Sequence, residues 1–218
     1  MTRLVLTNAI YFDAAWAQPF DEKATKDGPF TLLDGSQVTV PTMRQTDSFG
    51  YAKGDGYQAV ELPYDGRQLS MVILLPDTGQ FETFEASLNA KQVDAIVQEL
   101  SSREVNLSMP RFKTESSFGL DETLRELGMR DAFSAQTADF SGMTGNHDLF
   151  IGAVIHKAFV SVDEAGTEAA VATAVIMELS ALPLEPLQVK VDRPFVFLIR
   201  DTETGTILFV GRVLNPGA

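Results

Sequence analysis

Residues 163–186 read Asp-Glu-Ala-Gly-Thr-Glu-Ala-Ala-Val-Ala-Thr-Ala-Val-Ile-Met-Glu-Leu-Ser-Ala-Leu-Pro-Leu-Glu-Pro. This long run of mostly small side chains lies between two apolar, β-branched segments, 150–162 and 187–191, that read as strands. A connection this long is functional or disordered rather than a plain turn. Its local preferences conflict, because Ala and Glu favour helix while Val and Thr suit a strand. A segment that can serve as loop, helical turn or strand is a candidate switch. On composition alone an alanine-rich surface linker fits equally well.

An extended conformation would sort this segment into two faces. Thr167, Ala169, Val171, Thr173 and Val175 point one way, and Glu168, Ala170, Ala172, Ala174 and Ile176 the other. The first set carries no charge and little bulk, so it can enter a packed sheet without burying an ion. No proline occurs from Gly166 to Leu182, so every backbone donor there can join a ladder.

The 218 residues suit one domain with a sizeable core, since 44% are hydrophobic. A net charge of −13 disfavours nucleic acid, heparin-like polyanions and anionic membranes as partners. Cysteine is absent, which removes disulfides, thiol catalysis and thiolate metal sites and leaves the redox compartment open. No stretch reaches the length of a membrane span. The start, Met1-Thr-Arg-Leu-Val-Leu, lacks the extent of a signal peptide and reads directly as a strand.

The rest of the chain reads as α+β, dominated by mixed and antiparallel sheets. Residues 4–12 suit a strand buried on both faces. A hairpin is expected over 30–40 on Asp34-Gly35, then extended chain to Tyr51. A second hairpin joins 57–63 to 69–75 around Asp65-Gly66, with 71–75 buried. Helices are expected over 81–88 and 91–100, with Asn89 as a cap. A strand over 104–112, a helix over 120–127 stopped by Gly128, a loop over 133–148 and two terminal apolar strands complete the reading.

Catalytic chemistry finds little support. Of the two histidines, His147 lies in a polar Gly-Asn-His-Asp loop and His156 inside an apolar strand, where a satisfied core histidine is the usual explanation. There is no Gly-x-Ser-x-Gly, His-x-x-x-His or phosphate-binding loop. A hydrolase built on His156 with Ser161 or Asp163 ranks far behind, because alternation puts His156 and Ser161 on opposite faces. No enzyme activity, cofactor or metal is expected.

Glu164-Ala-Gly-Thr-Glu-Ala-Ala-Val-Ala-Thr-Ala resembles the reactive-loop hinge of inhibitory serpins. Arg193-Pro-Phe-Val-Phe-Leu-Ile-Arg and Ile207-Leu-Phe-Val-Gly-Arg-Val-Leu-Asn-Pro resemble the carboxyl-terminal signature of that family. Leu4-Val-Leu-Thr-Asn-Ala-Ile-Tyr-Phe and Trp16-Ala-Gln-Pro-Phe resemble the central strand of its main sheet and the turn that follows. Val38-Thr-Val-Pro-Thr-Met, Leu127-Gly-Met, Ala138-Asp-Phe-Ser-Gly-Met and His156-Lys-Ala fall in serpin order. The chain is thus identified as a serpin-like protein covering the carboxyl-terminal part of the domain, and a prokaryotic source is expected. A helical block precedes residues 4–12 in the family, so a fragment is the expected status, with residues 1–218 forming one partial domain and 163–186 its reactive-centre loop.

The resemblance implies roles. Glu164, Gly166, Thr167, Glu168, Ala169, Ala170, Val171, Ala172 and Thr173 would form the hinge. Trp16, Arg111 and Glu164 would form the "breach" at the top of the main sheet, with Arg111 replacing the more usual lysine and offering a bidentate fork. Asn8 and His156 would belong to the central "shutter". Family spacing counted forward from Glu164 places the scissile bond at Ser180–Ala181, and counted back from Pro194 it falls about three residues later, near Pro183. Proline is a poor residue before a cut, so Ser180–Ala181 is favoured, with Leu179–Ser180 as runner-up. The implied partner is an elastase-, chymotrypsin- or subtilisin-like serine protease with a small or apolar primary pocket. The implied mechanism is suicide inhibition: acyl-enzyme formation, then insertion of the hinge into the main sheet between the strands at 4–12 and 150–162. Sixteen steps from Glu164 at ~3.3 Å each give an inserted strand of roughly 50 Å. The alternative is a non-inhibitory or substrate-only serpin. A monomer without nucleic-acid or membrane partners is expected, and an extracellular location is favoured over the cytoplasm.

Overall fold

The computed structural model describes residues 4–167 and 185–217. In chain order, the first strands are β1 (Leu4–Tyr11), β2 (Ala14–Ala15), β3 (Lys26–Thr31), β4 (Gln37–Gly54), β5 (Tyr57–Pro63) and β6 (Leu69–Pro76). Helices α1 (Phe81–Ser87) and α2 (Ala90–Glu99) follow, then β7 (Ser101–Pro110) and β8 (Phe112–Gly119). Next come α3 (Asp121–Glu126), α4 (Ser141–Thr144), β9 (Ile151–Val162) and β10 (Gly166–Thr167). The last strands are β11 (Leu187–Lys190), β12 (Phe195–Asp201) and β13 (Ile207–Val213). The α+β class holds.

Two compact units emerge. The larger comprises Asp13–Lys113 and the described residues from Ser161 onward. Its sheet runs β11-β7-β4-β5-β6-β12-β13, with β3 also paired to β4. The 18-residue β4 organises it by pairing antiparallel with β3, β5 and β7 along different parts of its length. Both expected hairpins form. Gly35 (φ +82°) turns β3 into β4, and Gly66 (φ +75°) sits between β5 and β6. Met71 to Leu75 are buried, because β6 lies between β5 and β12 with α1 and α2 packed on the sheet. Phe84, Val93 and Ile96 supply the helical side of that core. The Asn89 side chain caps α2 by accepting the Gln92 N–H at 3.1 Å.

The smaller unit holds the described residues up to Phe12 together with Thr114–Val160. Its sheet has the order β1-β9-β8, and β1 runs parallel to β9 from Leu4↔Ile151 to Tyr11↔Phe159. A small core of Phe133, Ile151 and Val154, joined by Leu4, Leu120 and Leu124, lies in this unit.

Two expectations are corrected here. β1 is not buried on both faces: Val5, Leu6, Ile10 and Tyr11 are exposed. The strand lies at a sheet edge, and among the described residues only Leu4 reaches the small core. His156 is not a core histidine either. It is half-buried, with its ring 5.2 Å from that of Phe118. A strand also forms where none was read: β8, Phe-Lys-Thr-Glu-Ser-Ser-Phe-Gly, whose residues beyond Phe112 are mostly exposed.

Candidate functional site

β9 ends at Val162 and the chain turns at once. The Asp163 carboxylate accepts the N–H groups of Ala165 (2.9 Å) and Gly166 (3.3 Å), and the Asp163 N–H donates to the Gly166 carbonyl at 2.9 Å. An aspartate closing a turn on its own backbone in this way is a local, sequence-encoded device. The turn delivers β10 antiparallel to β2, with Gly166 opposite Ala15 and Thr167 opposite Ala14. The approach is so close that a Cβ on Gly166 would stand 2.2 Å from the Ala14 carbonyl oxygen.

The stretch after β2 clasps this turn. Trp16 donates its backbone N–H to the Ala165 carbonyl and its indole N–H to the Asp163 carbonyl, each at 2.9 Å. Phe20 N–H donates to the Glu164 carbonyl at 2.9 Å. The Trp16 ring stacks on Tyr64 (4.6 Å, 9°), and the Tyr64 hydroxyl meets that of the buried Thr167 at 2.9 Å. Burial pushes the Tyr64 phenol well above its usual range, with the Thr167 bond opposing weakly, so it stays protonated and able to donate.

Glu164 is buried, at 4% exposure. Arg111 comes to it from the break between β7 and β8, its own N–H held by the Pro41 carbonyl at 2.9 Å. Its Nε and Nη2 approach the Glu164 carboxylate at 2.8 and 2.6 Å, and the Thr25 hydroxyl donates to the same carboxylate. All three converge on Oε1, so the fork expected of Arg111 does not span the two carboxylate oxygens. Burial alone would raise the Glu164 pKa, but the hydrogen bonds from Arg111 and Thr25 outweigh it and hold the carboxyl below its usual value. The Glu164 hydrogen bond raises Arg111 in turn, against a smaller effect of burial.

The Arg111 side chain remains 44% exposed, so water screens the pair and keeps its contribution nearer the ~1 kcal/mol of a surface bridge than that of a dry one. A pH signature follows from the direction of the Glu164 shift. A carboxyl lowered by folding stabilises the chain above its unfolded pKa of 4.5, and that stability is lost as pH falls through the folded value. Arg111→Gln removes the main lowering partner. Urea unfolding should therefore place the variant below the parent at pH 7, with the gap narrowing as pH falls below the unfolded value. A gap that stays constant with pH would contradict the assignment.

The structure thus brings Trp16, Arg111 and Glu164 together, although Trp16 grips the backbone of the turn rather than the carboxylate. Thr25 and Tyr64 belong to the same cluster and were not read from the sequence. Asn8 and His156 are direct cross-strand partners in β1 and β9, with Asn8 exposed. Among the described residues no hydrogen bond joins their side chains. β1 and β9 pair directly over Leu4–Tyr11, so no strand lies between them in this state. Hinge positions 168–173 and the bonds Ser180–Ala181 and Leu179–Ser180 lie outside the described residues.

The family model for serpins (serine protease inhibitors) matches residues 1–216. The chain belongs to the serpin family. An uncharacterized serpin-like protein of Thermococcus kodakarensis is 45% identical over 99% of this chain and 50% of its own length. The leukocyte elastase inhibitor of Bos taurus is 45% identical over 99% of this chain and 59% of its own. Among solved structures, human thyroxine-binding globulin superposes with a TM-score of 0.83 at 34% identity, covering 98% of this serpin and 56% of the globulin. The chain spans about half to three-fifths of the length of the curated relatives it matches.

Proposed function

We propose that this chain carries the reactive-loop portion of a serine protease inhibitor that acts as a suicide substrate. Residues 163–186 are the reactive-centre loop of a single serpin domain, Ser180–Ala181 is the bond attacked, and positions 164–173 are the hinge. The target is a serine protease with a small or apolar primary pocket, since no basic residue occurs in the loop. The observation that carries this reading is the gripped turn at Asp163–Thr167, which leads into a proline-free hinge of mostly small residues whose Thr167, Ala169, Val171 and Thr173 positions carry no charge.

Topology supports insertion as the consequence of cleavage. β1 and β9 are parallel neighbours. A chain leaving the end of β9 and doubling back therefore runs antiparallel to both, the orientation in which it can pair on its two edges. Trp16, Arg111 and Glu164 act as the breach that holds the point of entry, and Asn8 and His156 as the shutter. Strand insertion of this kind, with release of stored strain, is established for the family. A protease still acylated at Ser180 would be dragged along the sheet before its ester hydrolyses.

The alternative is a non-inhibitory serpin whose loop is cut as an ordinary substrate. Incubation with an elastase-like and a subtilisin-like protease, followed by denaturing gels and intact-mass analysis, separates the two. A complex that survives denaturation, with the summed mass less the released tail, is the expected result, and the N-terminus of the tail identifies the bond. Clipping with undiminished protease turnover would overturn inhibition.

A further inference from the structure

A groove of about 540 Å³ lies on one face of the large sheet, where β3, β4, β7 and β11 meet. Register places Arg44 of β4 opposite Ser108 of β7, and Ser108 opposite Lys190 of β11. The next row is Thr46, Asn106 and Gln188. Cross-strand partners share a face, so both rows look into the same groove. Two cations thus flank a hydroxyl across two strand spacings, roughly 10 Å, a gap that their flexible stems can close.

Neither cation has a carboxylate partner among the described residues. Asp192, the acid lining the groove, is held by Arg193 at 3.0 Å. Pro29, Val40 and Val191 add an apolar part to the lining. This convergence of unpaired positive charge and hydrogen-bond donors stands out in a chain of net charge −13. The surrounding acidic surface repels an extended polyanion, whereas a compact anion feels chiefly the local pair.

We propose that this groove binds a small free ligand bearing a compact oxyanion of the phosphate class, seated on the Arg44–Ser108–Lys190 row. The arginine fork and the lysine ammonium supply charge-assisted hydrogen bonds, the Ser108 hydroxyl a third, and the amides of the second row take polar groups beyond the anion.

Isothermal titration of the chain with inorganic phosphate, against sodium chloride at equal ionic strength, tests it. The expected result is saturable binding with a dissociation constant in the millimolar range or tighter. Arg44→Gln and Lys190→Gln should each weaken it by about tenfold or more. Both side chains are exposed, so the variants should fold, and Lys53→Gln at the far end of β4 should leave binding unchanged. Heats no different from chloride, equal weakening by Lys53→Gln, or binding of a linked sulfated polymer without binding of phosphate would each overturn the proposal.

Discussion

Trp16→Ala is expected to lower the unfolding free energy by about 3–5 kcal/mol, the range for deleting a large buried aromatic. Trp16 is 2% exposed and does three things at once. Its ring stacks on Tyr64, its indole N–H satisfies the Asp163 carbonyl, and its backbone N–H meets the Ala165 carbonyl. Truncation leaves a void against Tyr64 and removes the side-chain donor to Asp163. For a chain of this size the loss corresponds to a fall in Tm on the order of 10 °C. Trp16→Phe keeps a ring against Tyr64 but no donor, so it should cost about 1–2 kcal/mol, the penalty for the unpaired carbonyl. Thermal and urea unfolding of the two variants separate packing from hydrogen bonding. A Trp16→Ala chain within 1 kcal/mol of the parent would mean that the turn is not held by this residue.

Gly166→Ala carries the second largest expected effect. The added methyl would sit 2.2 Å from the Ala14 oxygen and 2.7 Å from the Ala15 Cα, at a φ of +157°. Both neighbours are backbone, so no flexible side chain can yield, and β10 must separate from β2. Overpacking of this kind costs typically 1–3 kcal/mol, and the backbone clash places this case at about 3. Because the strain falls on the β2–β10 pairing, limited proteolysis near residues 163–167 should accelerate along with the loss of stability. Gly142→Ala is the matched control. Nothing lies within 4 Å of its Cβ position, and it occupies the short helix α4, so its stability should be unchanged or slightly raised. Equal behaviour of the two variants would remove the steric argument.

Much of the fold was legible because its signals are local. Asp34-Gly35 and Asp65-Gly66 announce their hairpins, Asn89 caps α2, and the unbroken apolar run at 71–75 marks a strand covered on both faces. β8 was not legible, because Lys-Thr-Glu-Ser-Ser has neither apolar alternation nor β-branched enrichment. Pairing with β9, not its own composition, makes it a strand. The error at β1 has the opposite origin. Leu4-Val-Leu looks like buried sequence, but burial depends on what covers a face, and no local pattern encodes that.

The site divides the same way. Glu164, Arg111 and Trp16 were reached through the family resemblance, since their separations in sequence leave no periodic trace. Thr25 follows a short 3-10 turn and has no motif of its own, so its bond to Glu164 is visible only in three dimensions. Tyr64 offered a weak clue, because a tyrosine beside a buried strand usually has a partner for its hydroxyl. Thr167 proved to be that partner.

The central claim is that cutting the loop sends the hinge into the sheet. Hydrogen exchange with mass spectrometry on residues 167–179, before and after cleavage at Ser180–Ala181, tests it most directly. Insertion would give each of these backbone donors a ladder partner, so the account predicts strong slowing of exchange in the cut chain, with exchange in β1 and β9 altered as their direct pairing gives way. Hinge exchange that is unchanged or faster after cleavage would contradict it.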